Sequence, residues 1–342
     1  MGMVAERPRI ALALQGGGAH GAYGWGALER LLEADLDIVA VSGASAGALN
    51  GAALVAGFAT DGREGAKAGL ERLWNSVAHY SPMRVLDSRW LPSVFLDPWI
   101  NSSLQLAKLF GPYFLPLVPG VRGMDALRRI AGETIDLDAL RLPNAIPLHI
   151  SATRVADGTP RLFDNNEIDI DALMASACLP ELFSAVNIDG EDHWDGGYSA
   201  NPALDPLLRA DGTTDLLILQ ITPFAVEDVS HSLPAMIGRI SDIGFNACLL
   251  RDLKTLTEMQ AALQEAPRVT GPLSVLREIN LHLMQAAPEL ASRNLASKSD
   301  TRASKLQELR GIGYNTMDAW LAEHRDELGR RSTLTRPEPE LA

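Results

Sequence analysis

Cysteine is scarce in this chain, which has only Cys178 and Cys248 among its 342 residues. Two cysteines are too few for a disulfide framework, and neither belongs to a CxxC pair. We therefore expect both to be buried apolar side chains in a reducing compartment, where disulfides rarely form.

Basic residues are outnumbered by acidic ones, 30 to 43, which gives a formal net charge of -13. Such a surface repels a polyphosphate, so we expect no nucleic-acid partner. The charge also argues against docking on anionic lipid through a general positive field. A local basic or apolar patch would still allow a peripheral membrane contact.

Long apolar runs are lacking as well. The most apolar stretch, residues 109–121, contains three prolines and is shorter than the roughly 20 residues that a membrane-spanning helix needs. A strand pattern begins by Ile10, which leaves little room for a cleavable signal ahead of it. These features predict a cytoplasmic protein.

What the sequence does have is an alternation of short apolar runs with helical patterns. Predicted strands at 10–14 and 38–41 flank a helical pattern over 22–32, and a small-residue helix follows Gly47. This order predicts a parallel sheet with helices on its faces. Further segments extend the pattern, with strands at 148–153, 161–163, 182–188 and 216–221 and a helix at 170–177.

Three regions differ from this pattern. Residues 58–123 are rich in aromatic residues and proline, and we interpret them as a helical insertion, either a cap with its own core or a lid over an apolar groove. Residues 235–330 form a predicted helical C-terminal region. Its role is open between a homo-oligomer interface and a membrane contact. Residues 331–342 are polar, contain two prolines and predict a disordered tail.

The first chemical motif is Gly43-x-Ser45-x-Gly47, between a predicted strand and a predicted helix. This is the context of a nucleophile elbow, in which a serine occupies a strained turn and its neighbours must be small. At the helix N-terminus, unpaired amides and the helix dipole favour developing negative charge. A small-residue packing turn or an N-cap serine would give the same pattern.

The second motif is the run GGGAHG at residues 16–21, which follows the first strand and opens the first helix. Its backbone amides can converge on an anion, as in an oxyanion hole for the intermediate that Ser45 would form. The run also fits the G-x-G-x-x-G pattern of dinucleotide sites. That pattern expects an acidic residue at the end of the second strand, whereas Asp35 and Asp37 precede the strand. A structural tight turn is the third interpretation.

The third motif is Asp195 followed by Gly196 and Gly197. A serine nucleophile needs a base within hydrogen-bond reach, and a carboxylate can serve when its site raises its basicity. The two glycines would allow a close approach to the serine loop, and Asn201 could anchor this turn through side-chain hydrogen bonds. Asp-Gly is also a common turn signal, so a plain turn is the alternative.

A histidine base has weaker support. His231 and His282 follow Asp195, but neither lies in a glycine-flanked loop after a strand, and His282 falls on a predicted helix as a partly exposed residue. His20 is the histidine predicted near the site. It would be either a solvent-exposed loop residue or one that orients the glycine loop or contacts a substrate head group.

Together these motifs resemble the patatin-like phospholipase family over residues 9–221, and the run ASACLP at 175–180 resembles the segment before the family's aspartate. The resemblance implies a three-layer α/β/α sandwich with a mostly parallel central sheet, no metal, no cofactor and acyl esters of lipids as substrates. It also implies residue roles: Ser45 as nucleophile, Asp195 as base, and an oxyanion hole at Gly16, Gly17 and Gly18. The family commonly has Arg or Lys where this chain has His20, which weakens the case for a phosphate head group.

Two other functions would use the same features. One is acyl transfer to an acceptor other than water, with the same serine and aspartate. The other is non-catalytic lipid binding. The acyl-chain length, the head group and the choice among phospholipid, glyceride and polyester are not set by these residues.

Overall fold

A computed structural model describes residues 7–80, 123–180, 183–226, 232–266, 268–291 and 295–334. Its strands are β1 (Arg9–Leu14), β2 (Asp37–Ala44), β3 (Leu148–Arg154), β4 (Pro160–Phe163), β5 (Val186–Ile188), β6 (Glu191–Asp195), β7 (Asp215–Leu219) and β8 (Asn280–Met284). Its helices are α1 (Gly21–Leu32), α2 (Ala46–His79), α3 (Gly123–Thr134), α4 (Ile170–Ser176), α5 (Asp205–Leu208), α6 (Leu233–Glu265), α7 (Pro288–Ala291) and α8 (Ala303–His324).

These strands form one sheet in which successive neighbours pair in the order β5-β6-β3-β2-β1-β7-β8, and β4 also pairs with β3. β6 and β2 pair with different parts of the same side of β3, and β4 lies on its other side. The five strands from β3 to β8 along this order are parallel to one another. Three strands add antiparallel pairs next to β3: β4 and β6 each pair with β3, and β5 pairs with β6. The predicted mostly parallel sheet is therefore confirmed, and the parallel strands end at one edge, where loops of α/β proteins commonly form sites.

Side chains of β1 alternate between two cores, because successive strand residues point to opposite faces of a sheet. Ile10, Leu12 and Leu14 enter a core shared with α1, α2 and α8. Ala11 and Ala13 enter a second core shared with α6. Helices therefore cover both faces of the sheet, which confirms the three-layer α/β/α sandwich.

Helix α2 consists of two segments that fold back on each other. The reversal occurs at Gly62, where φ is 55°. The segments pack closely because a Cβ on Gly57 would overlap the backbone of Gly65. Residues 58–79 thus belong to α2 and add buried side chains to the first core, so the predicted insertion at 58 starts too early. The part of that prediction that concerns residues 81–122 lies outside the described residues.

The C-terminal third adds a strand to the sheet as well as helices to both layers. β8 pairs in parallel with β7, and α8 packs on α1. Gly26 and Gly313 let these two helices approach closely, since a Cβ at either position would overlap the other helix's backbone. The prediction of a helical region at 235–330 is wrong at β8. A strand of five residues gives too short an apolar pattern to be recognised between two helical segments.

His282 lies in β8 and is fully buried, which corrects the prediction of a partly exposed helix residue. Its Nε2 atom lies 2.8 Å from Asp215 Oδ1, and its Nδ1 atom lies 3.0 Å from Thr333 Oγ1. The Gly329 N–H also donates to the Asp215 carboxylate, at 2.9 Å. These bonds hold the chain that follows α8 against the sheet. The predicted tail at 331–342 is therefore wrong for its first residues, and the rest of it lies outside the described residues.

Candidate active site

Ser45 occupies the turn between the end of β2 and the start of α2. Its φ and ψ are 53° and -122°, a strained conformation for a non-glycine residue that costs about 1–3 kcal/mol. The Ser45 N–H donates to Ser176 Oγ at 3.0 Å, which helps to hold the turn. A strained serine between a parallel strand and a helix is the geometry that the GxSxG pattern predicts.

Gly43 and Gly47 are needed because backbones approach each other closely around the serine. A Cβ on Gly43 would overlap the Gly47 carbonyl, and a Cβ on Gly47 would overlap the Leu14 carbonyl at the end of β1. Both contacts are with backbone, which cannot move aside without disturbing the sheet. The two glycines therefore let the turn at Ser45 pack against the end of the neighbouring strand.

The end of β6, at Asp195, lies next to the end of β2 because β2 and β6 share one side of β3, while β4 occupies the other side. On the shared side, Ala44 of β2 pairs with Ser151, and Asp195 of β6 pairs with the next residue, Ala152. Neighbouring positions along a strand are about 3.3 Å apart. Asp195 therefore takes the place beside β3 that Ser45 leaves when the chain turns into α2.

One short segment after α4 holds the backbones of both residues. Ser176 accepts the hydrogen bond from Ser45, and the Cys178 carbonyl accepts the Asp195 N–H at 2.8 Å. Burial, together with the negative charge of Asp195, raises the pKa of the Cys178 thiol to about 12. This thiol stays protonated at neutral pH and is a poor nucleophile.

The side chain of Asp195 is fully buried and its turn is tightly packed. The Gly197 N–H donates to Asp195 Oδ1 at 2.8 Å. A Cβ on Gly196 would overlap the Ser151 carbonyl, and a Cβ on Gly197 would overlap the Phe245 ring. A buried carboxylate is costly unless it is bonded, and such groups are concentrated at functional sites.

The glycine loop lies against Ser45. A Cβ on Gly16 would come within 2.8 Å of the Ser45 Cβ. The Gly16 N–H donates to Asn201 Oδ1 at 2.8 Å, so the prediction that Gly16 contributes to an oxyanion hole is wrong, because its donor is already used. Among the described residues, nothing accepts a hydrogen bond from the N–H of Gly17 or Gly18, and these two amides are the candidate donors.

Asn201 connects this loop to α6. It is fully buried, and besides accepting from Gly16 it donates from Nδ2 to the Phe245 carbonyl at 3.1 Å. Sequence analysis suggested that Asn201 anchors the turn at Asp195. The structure shows that its side chain instead anchors the glycine loop.

His20 is buried, so the prediction of a solvent-exposed loop residue is wrong. Its Nε2 atom lies 2.8 Å from Ser297 Oγ. A Cβ on Gly18 would lie 2.6 Å from the Lys298 carbonyl, so the turn Leu295–Ser299 packs directly on the glycine loop. His20 therefore fits the alternative role, that of orienting the loop.

Two buried amide side chains support these loops and were missed by sequence reasoning. Gln15 Oε1 accepts the N–H groups of Ile221 and Thr222, both at 2.8 Å. Asn50 Nδ2 donates to the Gly21 carbonyl at 2.9 Å. A signal was present, because each is a lone amide residue within a run of apolar and small residues beside a glycine motif.

Within the described residues, no group of three or more His, Cys, Asp or Glu side chains is placed to hold a metal ion. No helix in those parts of the chain has the length and hydropathy of a membrane span. Cys178 and Cys248 are both buried free thiols, which confirms their predicted burial.

The fold and the site define an α/β protein in which the strand that ends at a strained serine and the strand that ends at a buried aspartate stop at adjacent positions of β3. The family model for patatin-like phospholipases matches residues 12–208, more than half of the chain. The chain belongs to this family. The resemblance drawn from the sequence motifs is confirmed.

Curated relatives cover part of the chain. An uncharacterized NTE family protein of Mycobacterium bovis is 30% identical over 208 residues, which is 60% of this chain and 46% of that protein. Uncharacterized NTE family proteins of Mycobacterium tuberculosis match to the same extent. The chain thus spans about half the length of the curated relatives it matches.

Solved structures with a similar fold are distant in sequence. Human GIVD cytosolic phospholipase A2, in complex with methyl gamma-linolenyl fluorophosphonate, is 13% identical with a TM-score of 0.42, over 94% of this chain and 59% of that one. VipD from Legionella pneumophila is 16% identical with a TM-score of 0.41, over 92% of this chain and 67% of that one. At these TM-scores neither structure adds to the family assignment.

Proposed function

We propose that this chain is a serine lipid acyl hydrolase, in which Ser45 attacks a carboxylic ester and Asp195 accepts the proton of the hydroxyl. The main support is the shared side of β3, which brings Asp195 next to the turn at Ser45. Family membership supports lipid hydrolysis as the class of reaction.

The reaction would have two steps. In the first, Ser45 Oγ bonds to the ester carbon while its proton passes to Asp195. The negative charge that forms on the carbonyl oxygen is stabilised by the amides of Gly17 and Gly18 and by the N-terminus of α2. The carbon–oxygen bond to the alcohol then breaks, and the alcohol leaves with the proton held by Asp195.

In the second step, water attacks the acyl ester on Ser45 and gives a proton to Asp195. Collapse of the second intermediate releases the carboxylic acid and returns the proton to Ser45. The strained turn presents Ser45 in the same orientation for both steps. Asp195 serves as base and then as acid in each step, so no second titratable side chain is needed.

Lipid acyl esters are the substrate class that we propose. Because His20 is buried against Ser297, this position does not offer the permanent positive charge that an arginine or lysine would. We therefore propose no selectivity for a phosphate head group from this residue, and both phospholipids and neutral glycerides are candidate substrates.

Labelling with a fluorophosphonate probe tests the proposed nucleophile. Wild type should be labelled, Ser45→Ala should not, and Asp195→Asn should react at least about 100-fold more slowly because its nucleophile lacks a base. Ser274→Ala, at an exposed turn far along the chain, is the matched control and should label like wild type. Labelling of Ser45→Ala at the wild-type rate would contradict the proposal.

A product assay separates hydrolysis from acyl transfer. Wild type is given a short-chain ester with and without an added alcohol, and the free acid and the new ester are measured. We expect mainly free acid in both cases. A new ester as the main product at low alcohol concentration would support the acyltransferase alternative instead.

A further inference from the structure

Helix α6 has two halves with different surfaces. Between Met236 and Ala247 the exposed residues are apolar or small, and Met236, Ile240 and Ile243 are 46%, 68% and 53% exposed. Their spacing of four and three residues places them on one face of the helix. From Arg251 onward, charged and polar residues dominate the exposed positions. We refer to Met236, Ile240 and Ile243 as the α6 stripe.

The two charged residues in the apolar half of α6 are both engaged. Asp242 pairs with Lys298 at 2.5 Å, and Arg239 donates to the Phe224 carbonyl at 3.0 Å. Both contacts hold the helix to the rest of the fold. The stripe therefore offers a surface that is apolar and without charge.

The other side of this half-helix contacts the loops of the proposed active site. The Phe245 carbonyl accepts from Asn201, and the Phe245 ring lies against Gly197 beside Asp195. Asn246 Oδ1 accepts from Gln15, which precedes the glycine loop, at 2.8 Å. A helix with its side chains is about 10 Å across, so the stripe lies roughly one helix diameter from the site.

We propose that the α6 stripe docks on a zwitterionic phospholipid membrane and so brings the active site to its lipid substrate. This inference rests on the proposed hydrolase function. Three half-exposed side chains give a patch of about 300 Å², and apolar side chains of this kind can enter the headgroup region of a bilayer.

The size and charge of the surface favour this occupant over two others. A stable dimer buries about 800 Å² on each partner, well above the area of the stripe, so a second copy of the chain is disfavoured. The net charge of -13 disfavours an anionic membrane, because the protein as a whole would be repelled.

Co-sedimentation with phosphatidylcholine vesicles tests the docking. The measurement uses the Ser45→Ala protein, so that lipid is not consumed. Adding Ile240→Gln and Ile243→Gln should lower the vesicle partition coefficient about 30-fold, because each half-exposed isoleucine loses about half of its transfer free energy. Met259→Gln is the matched control, since Met259 is 37% exposed on the charged half of the same helix, and it should bind like the parent.

Several outcomes would overturn the docking proposal. They are no vesicle binding by the Ser45→Ala parent, equal binding by the double variant and the parent, and binding only to vesicles that contain phosphatidylglycerol. A change of mass in light scattering without a change in vesicle binding would assign the stripe to a second copy instead. Thermal melting confirms that each variant is folded. Fluorophosphonate labelling reports on the hydrolase proposal separately, so failure of one proposal is distinguishable from failure of the other.

Discussion

Replacing Asn201 with alanine tests how the glycine loop is held against the proposed nucleophile. The Asn201 side chain joins the Gly16 N–H to the Phe245 carbonyl, with hydrogen bonds of 2.8 and 3.1 Å in a fully buried position. In Asn201→Ala the Gly16 N–H loses its acceptor, and water does not replace that acceptor because the position is buried. Because Gly16 lies against Ser45, a shift of the loop would also move the amides that follow it relative to the serine.

The expected magnitude follows from the burial of this bond. A buried donor without a partner costs about 1–3 kcal/mol, and the small cavity left by the amide adds about 1 kcal/mol. We therefore expect Asn201→Ala to lower the free energy of unfolding by about 2–4 kcal/mol, which lowers Tm by about 3–6 °C in a chain of this size. Displaced oxyanion donors should lower kcat on a short-chain ester by about 100-fold.

Asn187→Ala is the control for this prediction. Asn187 also makes two side-chain hydrogen bonds, to Asp192 at 2.8 Å and from the Gly190 N–H at 3.2 Å, but it is exposed at a hairpin where water can replace them. Its Tm should fall by less than about 2 °C, with kcat unchanged. If Asn201→Ala had the kcat of wild type and the same Tm as Asn187→Ala, the anchoring role of Asn201 would be refuted.

Three further predictions concern packing and ionisation. Gly47→Ala should lower Tm by more than about 5 °C or prevent folding, because its Cβ overlaps the Leu14 carbonyl, and a melt near that of wild type would contradict this. The Cys178 thiol is buried and has a pKa of about 12. It should react with iodoacetamide at pH 8 far more slowly in the native protein than in urea, as followed by mass spectrometry. Equal rates in the two conditions would argue against its burial. Burial acts to raise the pKa of Asp215, but hydrogen bonds led by that from His282 outweigh it and hold the pKa below its ordinary value of 3.8. The stabilisation from the lowered pKa is present above pH 3.8 and is lost as the pH falls through the lowered pKa. The difference in urea midpoint between wild type and Asp215→Asn should therefore shrink at acid pH. A difference that stayed constant with pH would contradict this prediction.

The parts of the site that were predictable from sequence are local. Gly43, Ser45 and Gly47 lie within five residues between a strand pattern and a helix pattern, so their turn could be inferred from chain order alone. The glycine loop was predictable for the same reason. The use of the Gly16 amide was not, because its acceptor on Asn201 lies 185 residues away in the chain.

The parts that failed depend on tertiary partners. The five residues of β8 form a strand because β7 offers an unpaired edge beside them, and a sequence window has no information about that edge. His282 was misplaced with the strand, since its burial follows from the pairing and from Asp215. The two alternatives for His20, solvent exposure and a role in orienting the loop, could not be decided from sequence, because the turn that covers it comes from residues 295–299, far along the chain.

The proposed pairing of Ser45 with Asp195 depends on how β3 is divided between two strands that run toward each other. β2 pairs with the first four residues of β3 and β6 with the last three, in opposite directions, so both strands end at the same junction. Each strand then turns directly into helical backbone, and Ser45 and Asp195 are the N-cap residues of those turns. A slip of one residue in either pairing would move one group by about 3.3 Å along β3 and reverse the face on which its side chain lies. The two glycine-flanked motifs therefore specify the turns, but the register along β3 is what brings the two turns together.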